Sequence, residues 1–249
     1  MRRLRIPTFI ALTLLVIVVL GWRISRTARF QLIGEYHRRV PVDDRWLALT
    51  FDDGPHPIYT PQILELLAAH DARATFFVVG ARAEEQPELV QRALAEGHEI
   101  GNHSWSHHRM VLKTPGWTRR EVERTDALLE DLGVPEPIHF RAPFGKKLLV
   151  LPWVLWRMDK ADILFDVVPQ PADYLHGDPE LIAADIRNRA RPGSIVVLHD
   201  GGGERPETVE ATRLVLERMG AEGWRFVTVS TLLARAEEHR TLAAAEDQL

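Results

Sequence analysis

Trp46-Leu47-Ala48-Leu49-Thr50-Phe51-Asp52-Asp53-Gly54-Pro55 is the stretch from which the fold is read. A run of apolar and β-favouring side chains ends at two adjacent acids and a Gly-Pro turn word, the pattern of a buried strand stopping at a loop. The helical pattern that follows opens on Thr60-Pro61, an N-cap with proline at the first helical position. The alternation then repeats. Strands are predicted at 46–51, 74–79, 98–102, 137–141, 163–168, 194–199 and 225–229. Amphipathic helices are predicted at 61–70, 86–96, 118–132, 148–159, 178–190 and 206–222, with Gly97, Gly133 and Gly223 at helix ends. Seven strands separated by six helices predict a parallel α/β sheet. Periodicity leaves open whether the sheet is doubly wound or closed into a barrel.

Composition narrows the function. Of 249 residues, 45% are apolar and 27% charged, as in an ordinary globular chain. The absence of cysteine excludes a disulfide scaffold, a thiolate metal site and a cysteine nucleophile. Residues 1–29 hold six arginines and no acid, whereas 30–249 hold 25 basic and 35 acidic residues, a net −10. An acidic body repels phosphate, so nucleic acid is not expected as a partner.

Outward toward the amino terminus, Arg2, Arg3 and Arg5 precede an uncharged run, 6–22, that Arg23 closes. A basic start with an apolar core reads as a targeting segment. The exit lacks the small residues of a cleavage site, so an uncleaved signal-anchor, one N-terminal transmembrane helix, is preferred over a cleaved signal peptide and secretion. The expected organisation is a basic flank and anchor at 1–29, a membrane-proximal linker at 30–45, the main domain at 46–232 and a helical tail at 233–249. Arginines on both flanks tip the orientation slightly toward an inside amino terminus, which places the domain outside the cytoplasm.

In α/β folds, function collects at the carboxyl ends of the strands. After the first strand come Asp52 and Asp53; one carboxylate can face a cation while its neighbour faces a substrate. A solvated surface turn is the plain alternative. After the third come His103 and His107, four apart, so that one helical turn brings both imidazoles to one face. Chance spacing among 11 histidines is the alternative there. Arg141-Ala142-Pro143-Phe144-Gly145 follows the fourth strand, and His199-Asp200 ends the sixth. Gly201-Gly202-Gly203 lacks the Lys-Ser/Thr of a phosphate cradle and reads as a flexible rim loop. Convergence decides: one shared site explains reactive side chains after four separate strands. One carboxylate and two histidines are the ligand layout of a hydrolytic zinc centre, and equally of a non-haem iron site.

These motifs resemble the polysaccharide deacetylase family (the NodB homology domain, carbohydrate esterase family 4). Thr50-Phe51-Asp52-Asp53-Gly54-Pro55, the His103-Ser104 to His107 pair, Arg141-x-Pro143-Phe144 and Leu198-His199-Asp200 occur in the family's order across about 46–232. The resemblance implies an irregular (β/α)7 barrel of NodB type. It implies Asp53, His103 and His107 as metal ligands, Asp52 as catalytic base, His199 as catalytic acid and Arg141 as the partner of the base. It implies Pro143 and Phe144 at the oxyanion, with the Phe144 N–H as donor. The family's Asp-x-x-Asp-Trp stretch departs from pattern here: Val168 replaces its first aspartate and the spacing is longer. Asp173 is matched to the aspartate that orients the acid, with Asp166 as fallback, and Tyr174 and Val197 to the acetyl pocket. The implied activity is metal-dependent removal of N-acetyl groups from N-acetylglucosamine polymers of peptidoglycan or chitin type. The implied metal is Zn2+, with Co2+ or Ni2+ as alternatives. An O-acetyl esterase on xylan-type polymers and a catalytically silent glycan-binding member are the rival readings. The partners expected are an acetylated amino-sugar polymer and a membrane, around a monomeric catalytic domain.

Overall fold

The computed structural model describes residues 8–25 and 31–246. It begins with helix α1, Thr8–Ser25. Among the described residues no helix is long and apolar enough to cross a membrane. Arg23 lies in the last turn of α1. The uncharged part before it, 8–22, spans only about 22 Å against a hydrocarbon core of roughly 30 Å. The expected signal-anchor, and with it the membrane partner and the single-pass extracytoplasmic placement, is therefore corrected. Arg2, Arg3, Arg5, Arg26 and Arg29 of the expected basic flanks lie outside the described residues.

The stretch expected as a linker is partly built into the domain. Strand β1, Tyr36–His37, pairs in parallel with a later strand, and the Val40 N–H donates to the Gly193 carbonyl at 2.9 Å. Val40 and Val42 are buried. A two-residue strand carries no periodicity, so nothing in the sequence pattern announced it.

Strand β2, Trp46–Asp52, is the centre of the fold, and six of its seven residues are buried. Leu47, Leu49 and Phe51 pack into one large core cluster, while Ala48 belongs to another. Strand alternation thus sends Leu47, Leu49 and Phe51 one way and Ala48, Thr50 and Asp52 the other. Each large side chain so buried is worth about 1.5–3 kcal/mol.

Then follow α2 Tyr59–Ala69, β3 Thr75–Val78, α3 Gly80–Glu85, α4 Pro87–Ala95, β4 Glu99–Asn102 and α5 Pro115–Asp131. Next come α6 Val150–Arg157, β5 Asp162–Ile163, α7 Pro179–Arg189, β6 Ile195–His199, α8 Pro206–Ala221, β7 Arg225–Phe226 and α9 Val229–Glu246. Helix α2 starts at Tyr59, so Thr60 is not its cap; the Thr60 hydroxyl accepts the His56 N–H instead. The helix expected at 86–96 is α4; α3 before it was not expected, and Gln86 between the two leaves helical backbone (φ −134°, ψ 53°) ahead of Pro87.

The sheet runs β4-β3-β2-β6, with β7 beside the start of β2 and β1 beside β5, all parallel. Single-residue parallel bridges, Asn102 to Phe140, Phe140 to Asp162 and Val167 to Val196, carry the pairing round from β4 to β6. The parallel α/β sheet so closes on itself irregularly. The strand expected at 137–141 is reduced to Phe140, since Pro137 has no N–H for a ladder. The one expected at 163–168 is interrupted where the Asp166 side chain takes the Ile195 N–H. In the β2–β6 ladder Asp52 lies opposite His199.

Candidate active site

At the carboxyl end of this sheet a cavity of about 590 Å³ is lined by Asp52, Asp53, His103, His107, Phe144, Tyr174, Val197 and His199, among others. A crevice of about 620 Å³ at the opposite end, around Trp46 and Trp224, holds none of the residues expected in a site.

Asp52 ends β2 on the inner face. Its Oδ1 accepts from Arg141 Nη1 at 2.6 Å, and the same nitrogen donates to Thr50 Oγ1 at 2.7 Å. The Arg141 Nε and Nη2 donate to the Ile163 and Leu164 carbonyls at 2.8 and 3.2 Å. Arg141 is fully buried, and its guanidinium also lies 4.0 Å from the Phe77 ring centroid. Burial lowers its pKa, against the opposing pull of the Asp52 carboxylate.

One residue on, Asp53 takes left-handed backbone (φ 70°), which turns its carboxylate away from that of Asp52. Arg82 donates to the Asp53 carbonyl. The glycine triplet packs closely against Asp53: a Cβ on Gly201 would run into the Asp53 carbonyl, and one on Gly202 into its Oδ2.

His103 and His107 do come together, with ring centroids 5.0 Å apart, but not on a helix. The chain after β4 is a bent loop in which Ser104 (φ 66°) and His107 (φ 54°) are both left-handed. Local side-chain bonds replace helical ones. Asn102 Oδ1 accepts the Ser104 N–H at 2.7 Å, and Ser104 Oγ accepts the His107 N–H at 3.1 Å.

Asp53, His103 and His107 each offer a ligand atom within 4.8 Å of the others. His103 Nδ1 faces the Arg141 carbonyl at 2.9 Å. A carbonyl only accepts, so the ring proton sits on Nδ1 and Nε2 keeps its lone pair. That bare nitrogen stands 3.5 Å from Asp53 Oδ1. Oδ1 is itself buried without a hydrogen-bond partner, with His107 Nε2 at 2.9 Å. Burial pushes the His103 imidazole down to about 4, which keeps it neutral. Burial raises the Asp53 carboxyl, yet the adjacent imidazoles hold it below the ordinary range. Two lone pairs turned toward each other in a buried pocket are what a divalent cation satisfies, so these residues fit a metal.

His199 ends β6 with Nδ1 3.0 Å from Asp173 Oδ1. Burial lowers its pKa, but the Asp173 charge and hydrogen bond, with Asp52 and Asp53 behind them, raise it to about 9. Asp173 sits in a 3-10 turn, Asp173–Leu175, and also accepts from Thr208 at 3.0 Å. The fallback Asp166 lies elsewhere, bound to Ser194 and Ile195. The Tyr174 ring stands edge-on to His199 at 5.0 Å, and Val197 is buried on the wall. Phe144 packs on His107 at 4.6 Å, whereas Pro143 is buried and does not line the cavity. Sequence reasoning passed over Thr50, Lys146, Phe165 and Arg205. Only Thr50 was signalled, by its alternation with Asp52. Asp200 is buried against Thr60 Oγ1, 2.5 Å away, and burial pushes its carboxyl up to about 7.

A family model described as polysaccharide deacetylase matches residues 39–155. The chain is 38% identical over 194 residues to a peptidoglycan-N-acetylglucosamine deacetylase of Bacillus cereus, covering 78% of this chain and 91% of that one. It is 32% identical over 198 residues to a chitooligosaccharide deacetylase of Azorhizobium caulinodans, covering 75% and 93%. The solved structure of the Bc1960 peptidoglycan N-acetylglucosamine deacetylase superposes with a TM-score of 0.75 at 30% identity, covering 80% and 92%.

Proposed function

The chain belongs to the polysaccharide deacetylase family, and on that premise we propose that it hydrolyses N-acetyl groups of N-acetylglucosamine residues in a polysaccharide or oligosaccharide. Acetate and a free amino sugar are the products. The observation that carries this reading is that Asp52, Asp53, His103, His107 and His199, from three separate strand ends, meet in one cavity.

Asp53, His103 and His107 hold a divalent cation in this reading, most simply Zn2+. Once bound it supplies Lewis-acid polarisation of the acetyl carbonyl and acidifies the attacking water. Asp52, kept in place by Arg141, accepts the proton of that water. The Phe144 N–H donates to the tetrahedral oxyanion, a contribution of about 3–4 kcal/mol per donor. Nδ1 of His199 is engaged by Asp173. Nε2 is therefore the atom that delivers a proton to the departing amine. Tyr174 and Val197 shape the acetyl pocket.

Acetate release from N-acetylated chitooligosaccharides, peptidoglycan and O-acetylated xylan, with and without chelator, tests the proposal. Chelator-sensitive acetate with new free amines on the first two supports it. Release from acetylated xylan alone assigns the site to an esterase, and no release from any of them overturns hydrolysis.

A further inference from the structure

The 141–147 loop carries Arg141 and Phe144, yet the proposed chemistry does not use the charge buried at its far end. Lys147 is 1% exposed, and its Nζ stands 3.4 Å from Oδ2 of the fully buried Asp162. Oδ1 of the same carboxylate accepts the Ala142 N–H at 3.2 Å. One side chain thus ties both the entry and the exit of the loop. The ammonium also lies 4.7 Å from the Tyr36 ring centroid, and Tyr36 is the residue paired with Asp162 across β1 and β5.

Between the two ties, a 3-10 turn, Pro143–Gly145, holds Phe144 in left-handed backbone (φ 60°, ψ 12°). A non-glycine residue enters that region at a cost and stays there only when its surroundings insist. Burial pushes the Lys147 ammonium down and the Asp162 carboxyl up, each opposed by its partner. A buried ion pair is a weak source of stability, because both charges must leave water; apolar replacement is often neutral. Its use here is geometric.

We propose that Lys147 and Asp162 are positioning residues: their ion pair, covered by Tyr36, clamps the 141–147 loop so that the Phe144 N–H stays aimed at the reacting acetyl group and the Arg141 guanidinium stays on the Asp52 carboxylate. The catalytic part of this rests on the deacetylase reading; the clamp does not.

The test uses the full chain. Lys147→Met with Asp162→Asn keeps an oxygen for the Ala142 N–H and leaves no lone buried charge, so the fold survives. Hydrogen exchange over 140–148 reads the clamp without substrate, and is expected to quicken at least roughly tenfold while other segments hold. The kcat for acetate release is expected to fall at least roughly tenfold, with KM within about twofold and the melting temperature unchanged. Lys147→Arg, which keeps the cation, restores most of that kcat. Wild-type exchange in the double variant overturns the clamp. Faster exchange with wild-type kcat overturns the positioning role, as does a kcat loss that merely follows a fall in melting temperature. If the wild-type protein releases no acetate from any substrate, the deacetylase reading fails while the exchange experiment still judges the clamp.

Discussion

Asp173 grips His199 at two points: Oδ2 accepts the His199 backbone N–H at 2.7 Å, and Oδ1 faces Nδ1 of the same residue at 3.0 Å. The first contact fixes where the histidine sits and the second fixes its charge.

With its pKa raised to about 9, His199 keeps a proton through neutrality and loses it as pH rises through that value. N-deacetylation should therefore decline on an alkaline limb near pH 9. Asp173→Asn removes the charge that raises the pKa, so the limb should move down by roughly a unit or more. Turnover of N-acetyl substrates at mildly alkaline pH should fall by about tenfold or more. Aryl acetates, whose leaving groups need no proton, should be spared. An unmoved limb would exclude His199 as the donor. The same raised pKa contributes stability that is complete below about pH 6.5 and is lost as pH rises through about 9.

His103→Ala should abolish metal uptake and activity together, because it removes the bare Nε2 facing the orphaned Asp53 Oδ1. Metal content by mass spectrometry and acetate release, measured on one preparation, check this. Full metal stoichiometry in the variant would refute the ligand assignment.

Asp52 and Arg141 separate chemistry from stability. Asp52→Asn should retain metal while losing at least about a hundredfold in kcat. Arg141→Ala instead leaves the Asp52 carboxylate buried without its cation, and should cost about 3–5 kcal/mol in denaturant unfolding. A near-normal rate for the first variant, or near-normal stability for the second, contradicts these roles.

Glycine substitutions should have opposite signs. Gly201→Ala drives a methyl into the Asp53 carbonyl. It should destabilise by about 1–3 kcal/mol or more and weaken metal binding. Gly220→Ala, within α8 and with nothing near its Cβ, should stabilise by up to about 1 kcal/mol. Melting temperatures with and without added metal distinguish the two.

The long elements were readable because they obey periodicity, and the residues that meet in the cavity because each follows a predicted strand. β2, β3, β4 and β6 lie within a residue or so of their expected positions. The strands reduced to Phe140 and Asp162–Ile163 were over-read, since a proline and an intruding carboxylate there replace ladder bonds. His103 and His107 meet as expected, through left-handed loop turns that four-residue spacing does not encode. Asp173 reaches His199 despite the longer spacing, whereas the fallback Asp166 serves the β5–β6 junction. Lys147 and Asp162 were invisible, because a pair 15 residues apart with no motif around it leaves no pattern. The apolar stretch near the amino terminus was plain in sequence, and its reading as an anchor failed on helix length.

Asp52 and His199 are ladder partners on β2 and β6. The backbone positions of the proposed proton acceptor and donor are thus set by neighbouring strands, about 4.8 Å apart, while Arg141 and Asp173 orient the two side chains. Loops that carry neither Arg141 nor Asp173 can be lengthened, trimmed or exchanged without resetting that spacing. Retooling the enzyme for a different glycan is then a matter of grafting rims onto a fixed pair of strands.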